Sequence, residues 1–368
     1  MNSFDGKRLK NRRERRGLTK KSLAQEAGVN QRYITEWEES EGQVVPNEKQ
    51  LVKLAKALDT DVRYFSMPWV GGVGEKNISF RAPTKMSRRN INAAVAFAQD
   101  GKEIGDWISS NYDCPKPDLP EINAIDTSPE HAALLVREAW GLGQAPIANM
   151  VRLLELHGVF VFSANGTAGI DFDAFSFFSD YRPYVFLSTN KSPERDRFDA
   201  AHELGHLLLH QHNDELSSKE REQEANDFAS AFLMPRSGLL AQIPYSLSFE
   251  KIKVLKKGWG VAASALCVRL HKLDVLTDWT YHALFVRLSK EGYRAGEPDG
   301  MRYREQSKIM DFVMHDLYAN HDAETLSRET GETMRDISDF AFGLKMVIKN
   351  KRKPGIGTGT RELDEKQF

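Results

Sequence analysis

The feature that most constrains this chain is the run Arg-Phe-Asp-Ala-Ala-His-Glu-Leu-Gly-His-Leu-Leu-Leu-His at residues 197–210. It contains a His-Glu-x-x-His pattern at His202, Glu203 and His206, has apolar neighbours and lacks proline. Such a run predicts a helix, and residues four apart on a helix share a face. The two imidazoles can then bind one metal ion, with Glu203 beside the open coordination position. The alternative is an amphipathic helix whose histidines are only hydrogen-bonded.

The residue types in this pattern predict zinc-dependent hydrolysis. Zn²⁺ lowers the pKa of a bound water to about 7. Glu203 is then placed to take a proton as that water attacks a carbonyl. We therefore predict Zn²⁺ as cofactor, His202 and His206 as ligands, and Glu203 as the catalytic base.

A catalytic zinc site needs a third protein ligand. His210 shares the helical face of His206, but four residues of helix carry it about 6 Å further from the metal. His212 has the spacing of the third histidine in metzincins, but Leu209 stands where that motif requires glycine.

A second amphipathic helix is predicted between Ser218 and Pro235, because apolar residues recur there at helical spacing. Its acidic residues are further ligand candidates. We favour Glu224, which directly precedes the apolar Ala225 on the expected packing face. The other candidates, in order, are Glu220, His212 and Asp227.

Composition limits the class of protein. The 368 residues suffice for two or three domains, and the 51 basic and 52 acidic residues give a net charge of −1. Only two cysteines occur, Cys114 and Cys267, which is typical of a reducing compartment. No apolar run approaches membrane-spanning length. We therefore expect a cytoplasmic protein with no membrane partner.

Basic residues are concentrated at the N-terminus, which predicts a local anion-binding surface. The apolar pattern of residues 6–65 predicts five short helices, with a tight turn at 28–30. Helix, glycine turn and helix at this length is typical of a helix-turn-helix motif. The basic residues are Lys7, Arg8, Lys10, Arg12, Arg13, Arg15, Arg16, Lys20 and Lys21.

This segment resembles Cro/cI-type (Xre-like) repressor domains in residues 17–19, 23–24, 27–29, 33–35 and 37–38. The resemblance implies a double-stranded DNA operator as partner, and a homodimer would suit a palindromic site. Arg pairs with guanine and Gln with adenine in the major groove, and a basic first helix would add phosphate attraction. The implied DNA-binding residues are Lys20 at a phosphate and, on the recognition helix, Asn30, Gln31, Arg32 and Thr35.

Acidic residues weaken the expected field of the recognition helix. They are Glu36, Glu38, Glu39 and Glu41. A helical protein-interaction domain without a DNA ligand is therefore the alternative for this segment.

A Gly- and Pro-bearing break at 66–79 separates this segment from a second region. Helical patterns follow at 87–112, 128–142 and 146–157, then three β patterns. These predict a mainly α (α+β) fold: an all-α five-helix domain, then a zincin-like α+β domain with a small, mainly antiparallel sheet and a helical C-terminal region. The β patterns are 159–162, 174–178 and 184–188.

The expected domains are 1–67 (helix-turn-helix), 68–79 (linker), 80–245 (metallopeptidase), 246–348 (helical extension) and 349–368 (disordered tail). The strand at 184–188, just before the metal helix, could offer its edge to an extended peptide. It could equally be core scaffolding.

Residues from about Ile78 to Gly343 resemble the ImmA/IrrE family of zinc-dependent peptidases. The resemblance implies cleavage of helix-turn-helix repressors, with ligands His202, His206 and Glu224 and with Glu203 as general base. The matching residues are Phe80-Arg81, 137–142, 173–177, 197–199 with the metal motif, 224–229 and 232–235.

Two functional hypotheses follow. In the first, a DNA-bound regulator carries an active endopeptidase that cuts a repressor-type protein, in a partner or in its own chain, to switch transcription. In the second, a non-proteolytic transcription factor or antitoxin-like repressor uses its zinc domain as a sensor or partner-binding module. The intact Glu203 favours the first, since a purely structural zinc site needs no general base.

Overall fold

The computed structural model describes residues 4–40, 43–80, 86–164, 173–211, 216–244, 247–293, 296–320, 322 and 324–343. Glu41, Arg81, His212 and the predicted disordered tail at 349–368 lie outside these ranges. Within them, no helix is long and apolar enough to cross a membrane.

The N-terminal segment folds as four α-helices and one 3₁₀ helix, confirming the five short helices predicted from the sequence. Thr19 caps α2 by accepting a hydrogen bond from the Ser22 amide, and Gly28 ends α2 in the left-handed conformation (φ 60°). The core is built on Leu9, Leu23 and Trp37. The helices are α1 (Gly6–Arg15), α2 (Lys20–Ala27), α3 (Gln31–Glu39), α4 (Glu48–Ala57) and the 3₁₀ helix Val62–Ser66.

The remaining helices surround a small sheet, and the predicted patterns at 87–112, 128–142 and 146–157 contain α5, α6 and α7. These helices are α5 (Arg88–Asn111), α6 (Pro129–Ala139), α7 (Met150–Leu156), α8 (Pro193–Leu209), α9 (Ser218–Leu233), α10 (Arg236–Leu240), α11 (Phe249–Trp259), α12 (Ala263–Lys272), α13 (Asp278–Lys290), α14 (Lys308–Ala319), α15 (Thr325–Thr330) and α16 (Met334–Phe340).

Among the described residues, the sheet has four strands in the order β1-β3-β4-β2. The β1–β3 and β3–β4 pairs are antiparallel, whereas β2 and β4 run parallel, so the sheet is mixed. The sequence pattern predicts three strands. The strand that it does not predict is β1, which lies at the end of the predicted linker. Because β4 lies inside the sheet and pairs on both sides, the structure favours core scaffolding, the second of the two alternatives given for this strand. The strands are β1 (Ile78–Phe80), β2 (Phe160–Ser163), β3 (Ala174–Ser179) and β4 (Arg182–Leu187).

Successive side chains of β3 point to opposite faces of the sheet, and each face packs in a different hydrophobic core. Phe175 and Phe177 join the aromatic cluster that packs against α5, α14 and α16. Ala174 belongs to the other cluster, which contains the apolar residues of α8 and α9. Ser176 points to the same side as Ala174, since successive side chains of a strand alternate. The small side chains on this face leave room for α8 to pack closely on the sheet.

The arginines of α1 join the helix-turn-helix domain to the rest of the chain. Arg12 and Arg15 are at most 1% exposed. Arg12 contacts Glu332 at 2.6 Å, and Arg15 contacts Asp100 of α5 at 2.6 Å and Asp336 of α16 at 3.1 Å. Burial opposes charging, but these guanidinium groups hold the pKa of Asp336 well below its ordinary value.

The prediction that the basic first helix attracts DNA phosphates is therefore wrong for these arginines. Their charges are neutralised by carboxylates more than 80 residues away in sequence, inside the protein. Lys7, Lys10 and Lys21 do remain exposed.

Candidate metal centre

Helix α8 brings two imidazoles together one turn apart. Pro193 occupies the first turn of α8, and Glu194 and Asp196 lie at its positive end, which favours a helix start there. The Nε2 atoms of His202 and His206 are 3.0 Å apart, and the two residues are 0% and 4% exposed. Their ligand atoms therefore converge on one buried point.

The third group at this point is Glu222 of α9. Its Oε2 lies 3.5 Å from His202 Nε2 and its Oε1 lies 3.4 Å from His206 Nε2. The ligand atoms of the three residues all fall within 4.8 Å of one another. Among the described residues, this is the one group of three such side chains that could hold a metal ion.

The geometry and chemistry of this group fit zinc. A tetrahedral ion with ligands at 2.0–2.1 Å places neighbouring ligand atoms about 3.3 Å apart, and two histidines with one glutamate form a known catalytic donor set. Burial lowers the pKa of His206 to about 4, which keeps its imidazole neutral as metal binding requires. Burial opposes ionisation of Glu222, but hydrogen bonds to the two histidines hold its pKa well below its ordinary value.

The other ring nitrogens are held in place. His202 Nδ1 lies 3.1 Å from Asn226 Oδ1, which makes the ring a donor at that nitrogen. His206 Nδ1 lies 2.8 Å from His210 Nδ1, and His210 Nε2 lies 3.1 Å from Glu224 Oε2. Such outer hydrogen bonds fix the ring orientation and tautomer of metal ligands.

Glu224, the third ligand favoured from the sequence, therefore lies against His210, and Glu222 takes the place beside the imidazoles. The sequence reasoning placed the ligand directly before Ala225, but adjacent helical residues point about 100° apart. Glu222 is three residues before Ala225 and four before Asn226, so its side chain lies next to both on the helix surface that faces α8. This spacing is the signal that could have identified it.

The remaining candidates lie elsewhere or outside the described residues. Glu220 is exposed and forms a capping box with Ser217 at the start of α9. Asp227 pairs with Lys272 of α12 and accepts a hydrogen bond from Gln223. His212 is not among the described residues.

A close crossing of α8 and α9 brings Glu222 to the histidines. A Cβ at Gly205 would lie 3.1 Å from the Phe228 ring and 3.3 Å from the Ala225 Cα. The absence of a side chain at position 205 thus lets the two helices approach. Even an alanine here would require the Phe228 ring or the backbone of α9 to move by a few tenths of an ångström.

Glu203 is fully buried beside this group, and its carboxylate is held by the sheet. Its Oε2 accepts a 2.6 Å hydrogen bond from Ser176 Oγ on β3. Sequence reasoning did not single out Ser176. The available signal was a serine on the same face as Ala174, alternating with Phe175 and Phe177 along the strand.

A cleft of about 320 Å³ borders the candidate metal centre at His206. Lys76, Ile78 and Ser79 form one part of its lining, and Ser176 and His206 form another. Strand β1 therefore borders the cleft on the side opposite His206.

The predicted DNA-contacting residues lie at the start of α2 and on α3. Gln31 and Arg32 are exposed and Thr35 is half-buried, while the Asn30 side chain caps α3 by accepting from the Arg32 amide. Lys20 contacts Glu39 at 2.8 Å.

Basic residues offset the acids of α3. Arg32 pairs with Glu36 at 2.6 Å and Arg13 pairs with Glu38 at 2.6 Å. The Arg32 pair is exposed, so it contributes little and can be exchanged for a base contact.

Comparisons with known families agree with this organisation. Residues 9–65 match the family described as Helix-turn-helix. Residues 154–271, which include the metal-centre residues of α8 and α9, match the peptidase family described as IrrE N-terminal-like domain. No curated protein matches the chain.

Proposed function

Because the chain joins a helix-turn-helix domain to an IrrE-like peptidase domain, we propose that it is a DNA-binding regulator with zinc-dependent endopeptidase activity. The proposed substrate is a repressor-type protein, whose cleavage switches transcription. The observation that carries this proposal is the buried Glu203 carboxylate, held by Ser176 beside a His-His-Glu cluster. A structural zinc site has four protein ligands and does not require a general base.

The proposed ligands are His202, His206 and Glu222, the group whose ligand atoms lie together, in place of the set with Glu224 expected from the sequence. When bound, zinc supplies Lewis-acid polarisation and a nucleophile at neutral pH. Glu203 accepts the proton released on attack and passes it to the leaving amine. Ser176 fixes one oxygen of Glu203, leaving the carboxylate a single orientation.

The DNA-binding half of the proposal rests on α3. Its exposed Gln31 and Arg32 offer the hydrogen bonds that read adenine and guanine in the major groove. Lys20, at the start of α2, would contact a phosphate once its partly exposed pair with Glu39 opens. DNA binding of this kind is expected to be salt-dependent.

The test is cleavage of repressor-type proteins by the zinc-loaded chain and by Glu203→Gln. Removal of the general base should slow cleavage by about 10²–10⁴-fold with zinc content unchanged. The matched control is Glu220→Gln, the same change at an exposed position of α9. Equal cleavage by wild type and Glu203→Gln would refute the catalytic assignment.

A non-proteolytic regulator is the second candidate. The burial of both His202 and Glu203 at 0% exposure favours it, since a sensor does not need an accessible base. If every form leaves all candidate substrates intact while zinc removal changes operator binding, this second function is correct.

A further inference from the structure

Strand β1 covers the edge of the sheet that lies beside the metal centre. It pairs antiparallel with β3 through Ile78–Phe177, Ser79–Ser176 and Phe80–Phe175. Ser79 is thus directly opposite Ser176, the residue whose hydroxyl holds Glu203. Side chains of directly opposed residues point to the same face of a sheet, so Ser79 lies on the face of α8.

Without β1, the outer edge of β3 would present a row of unpaired N–H and C=O groups. Extended peptides bind such edges by adding a strand, with backbone hydrogen bonds giving affinity and alternate side chains giving specificity. The cleft beside this edge is lined by Lys76 and Ser79 on one side and by Ser176 and His206 on the other. A peptide that paired with β3 in the place of β1 would therefore lie next to His206.

The attachment of β1 is short. It has three residues, against a mean strand length of about 5–6 in globular proteins. Ile78, at 7% exposure, anchors it in the aromatic cluster of the sheet. A strand held by few ladder bonds and one buried side chain can be exchanged for another.

Building on the peptidase function proposed above, we propose that β1 is a resident peptide in the substrate-binding edge of β3. An extended segment of a protein substrate enters by replacing β1, antiparallel to β3. It places an apolar side chain where Ile78 lies and a small one where Ser79 lies. With β1 in place, the peptidase is inhibited by its own chain.

The path of the chain couples this strand to the helix-turn-helix domain. Arg8 of α1 donates to the Met67 carbonyl at 3.3 Å. On α5, Gln99 accepts from the Val73 amide at 2.9 Å and donates to the Val70 carbonyl at 3.3 Å. The segment that leads into β1 is thus held between α1 and α5, and a shift of α1 relative to α5 would loosen it.

Amide hydrogen exchange tests the proposal without reference to catalysis, on the full chain carrying Glu203→Gln. Residues 78–80 should exchange at least tenfold faster than β4, and Ile78→Ala should accelerate this exchange at least tenfold further. Ile104→Ala is the matched control, a large-to-small change at a fully buried position of the same cluster on α5. If the amides of residues 78–80 exchange at the same rate as those of β4, so that the sheet opens as one unit, the proposal is overturned.

Cleavage in trans is the second arm, with Glu203 intact. Ile78→Ala should raise kcat/KM for an unstructured polypeptide substrate at least tenfold, because a larger fraction of molecules has an open edge. Ile104→Ala should not raise it. Unchanged or lower kcat/KM in folded Ile78→Ala would mean that β1 is scaffold. If no form cleaves anything, the peptidase function fails, while hydrogen exchange still decides whether β1 is exchangeable.

Discussion

Replacement of Glu222 by Gln should weaken zinc binding far more than the same change at Glu224. Glu222 lies within 3.5 Å of both Nε2 atoms, so the change alters a proposed direct ligand. Glu224 reaches His206 only through His210. The two residues are two positions apart on α9, which makes them a matched pair of substitutions.

The expected magnitudes follow from these positions. Structural zinc binding amounts to about 10–16 kcal/mol over four ligands, or about 2.5–4 kcal/mol for each ligand. At 1.4 kcal/mol per tenfold, loss of the Glu222 ligand should weaken zinc affinity by about 10²–10³-fold. Loss of an outer hydrogen-bond partner such as Glu224 should cost about 10–100-fold.

The assay is competition for zinc against a chromophoric chelator at fixed pH. Glu220→Gln serves as a control for removal of one negative charge from α9 and should bind zinc as the wild type does. A larger loss for Glu224→Gln than for Glu222→Gln would refute the reasoning. It would show that Glu224, and not Glu222, is the acidic ligand of the metal.

Two further predictions concern the domain junction and the DNA surface. Asp336→Asn leaves Arg12 and Arg15 buried without a full counter-charge, so the free energy of unfolding in urea should fall by about 3–5 kcal/mol; the half-exposed Asp311→Asn should change it by less than about 0.5 kcal/mol. Folding lowers the pKa of Asp336, so the Asp336 carboxylate contributes fully to the free energy of unfolding above about pH 4, and this contribution is lost as the pH falls further. A stability difference between wild type and Asp336→Asn that did not change with pH would contradict this. Arg32→Ala should reduce discrimination at one base pair by about 1–3 kcal/mol in operator-variant titrations, and unchanged selectivity would exclude Arg32 from base readout.

Much of this structure could be predicted from the spacing of residues close together in the sequence. The four-residue separation of His202 and His206 sets their common face on any straight helix. The turn at Gly28 and the caps at Thr19 and Asn30 are likewise local, so the helix-turn-helix segment was predictable. Glu222 was within reach of the same reasoning, through its spacing to Ala225.

Long-range pairing accounts for what could not be predicted. Strand β1 has three residues, too few to show alternation, and its partner β3 begins almost a hundred residues later. The arginines of α1 look like a DNA-binding surface until Glu332 and Asp336 are known to lie against them. Similarly, the parallel pairing of β2 with β4 depends on a strand inserted between them in sequence.

The central claim is that His202, His206 and Glu222 hold the catalytic metal. The most direct measurement is anomalous diffraction at the zinc edge from crystals of the zinc-loaded protein. The account predicts one strong peak within about 2.0–2.2 Å of both Nε2 atoms and of a Glu222 oxygen. A zinc peak coordinated by Glu224 with Glu222 turned away, or zinc bound only at other residues, would contradict it.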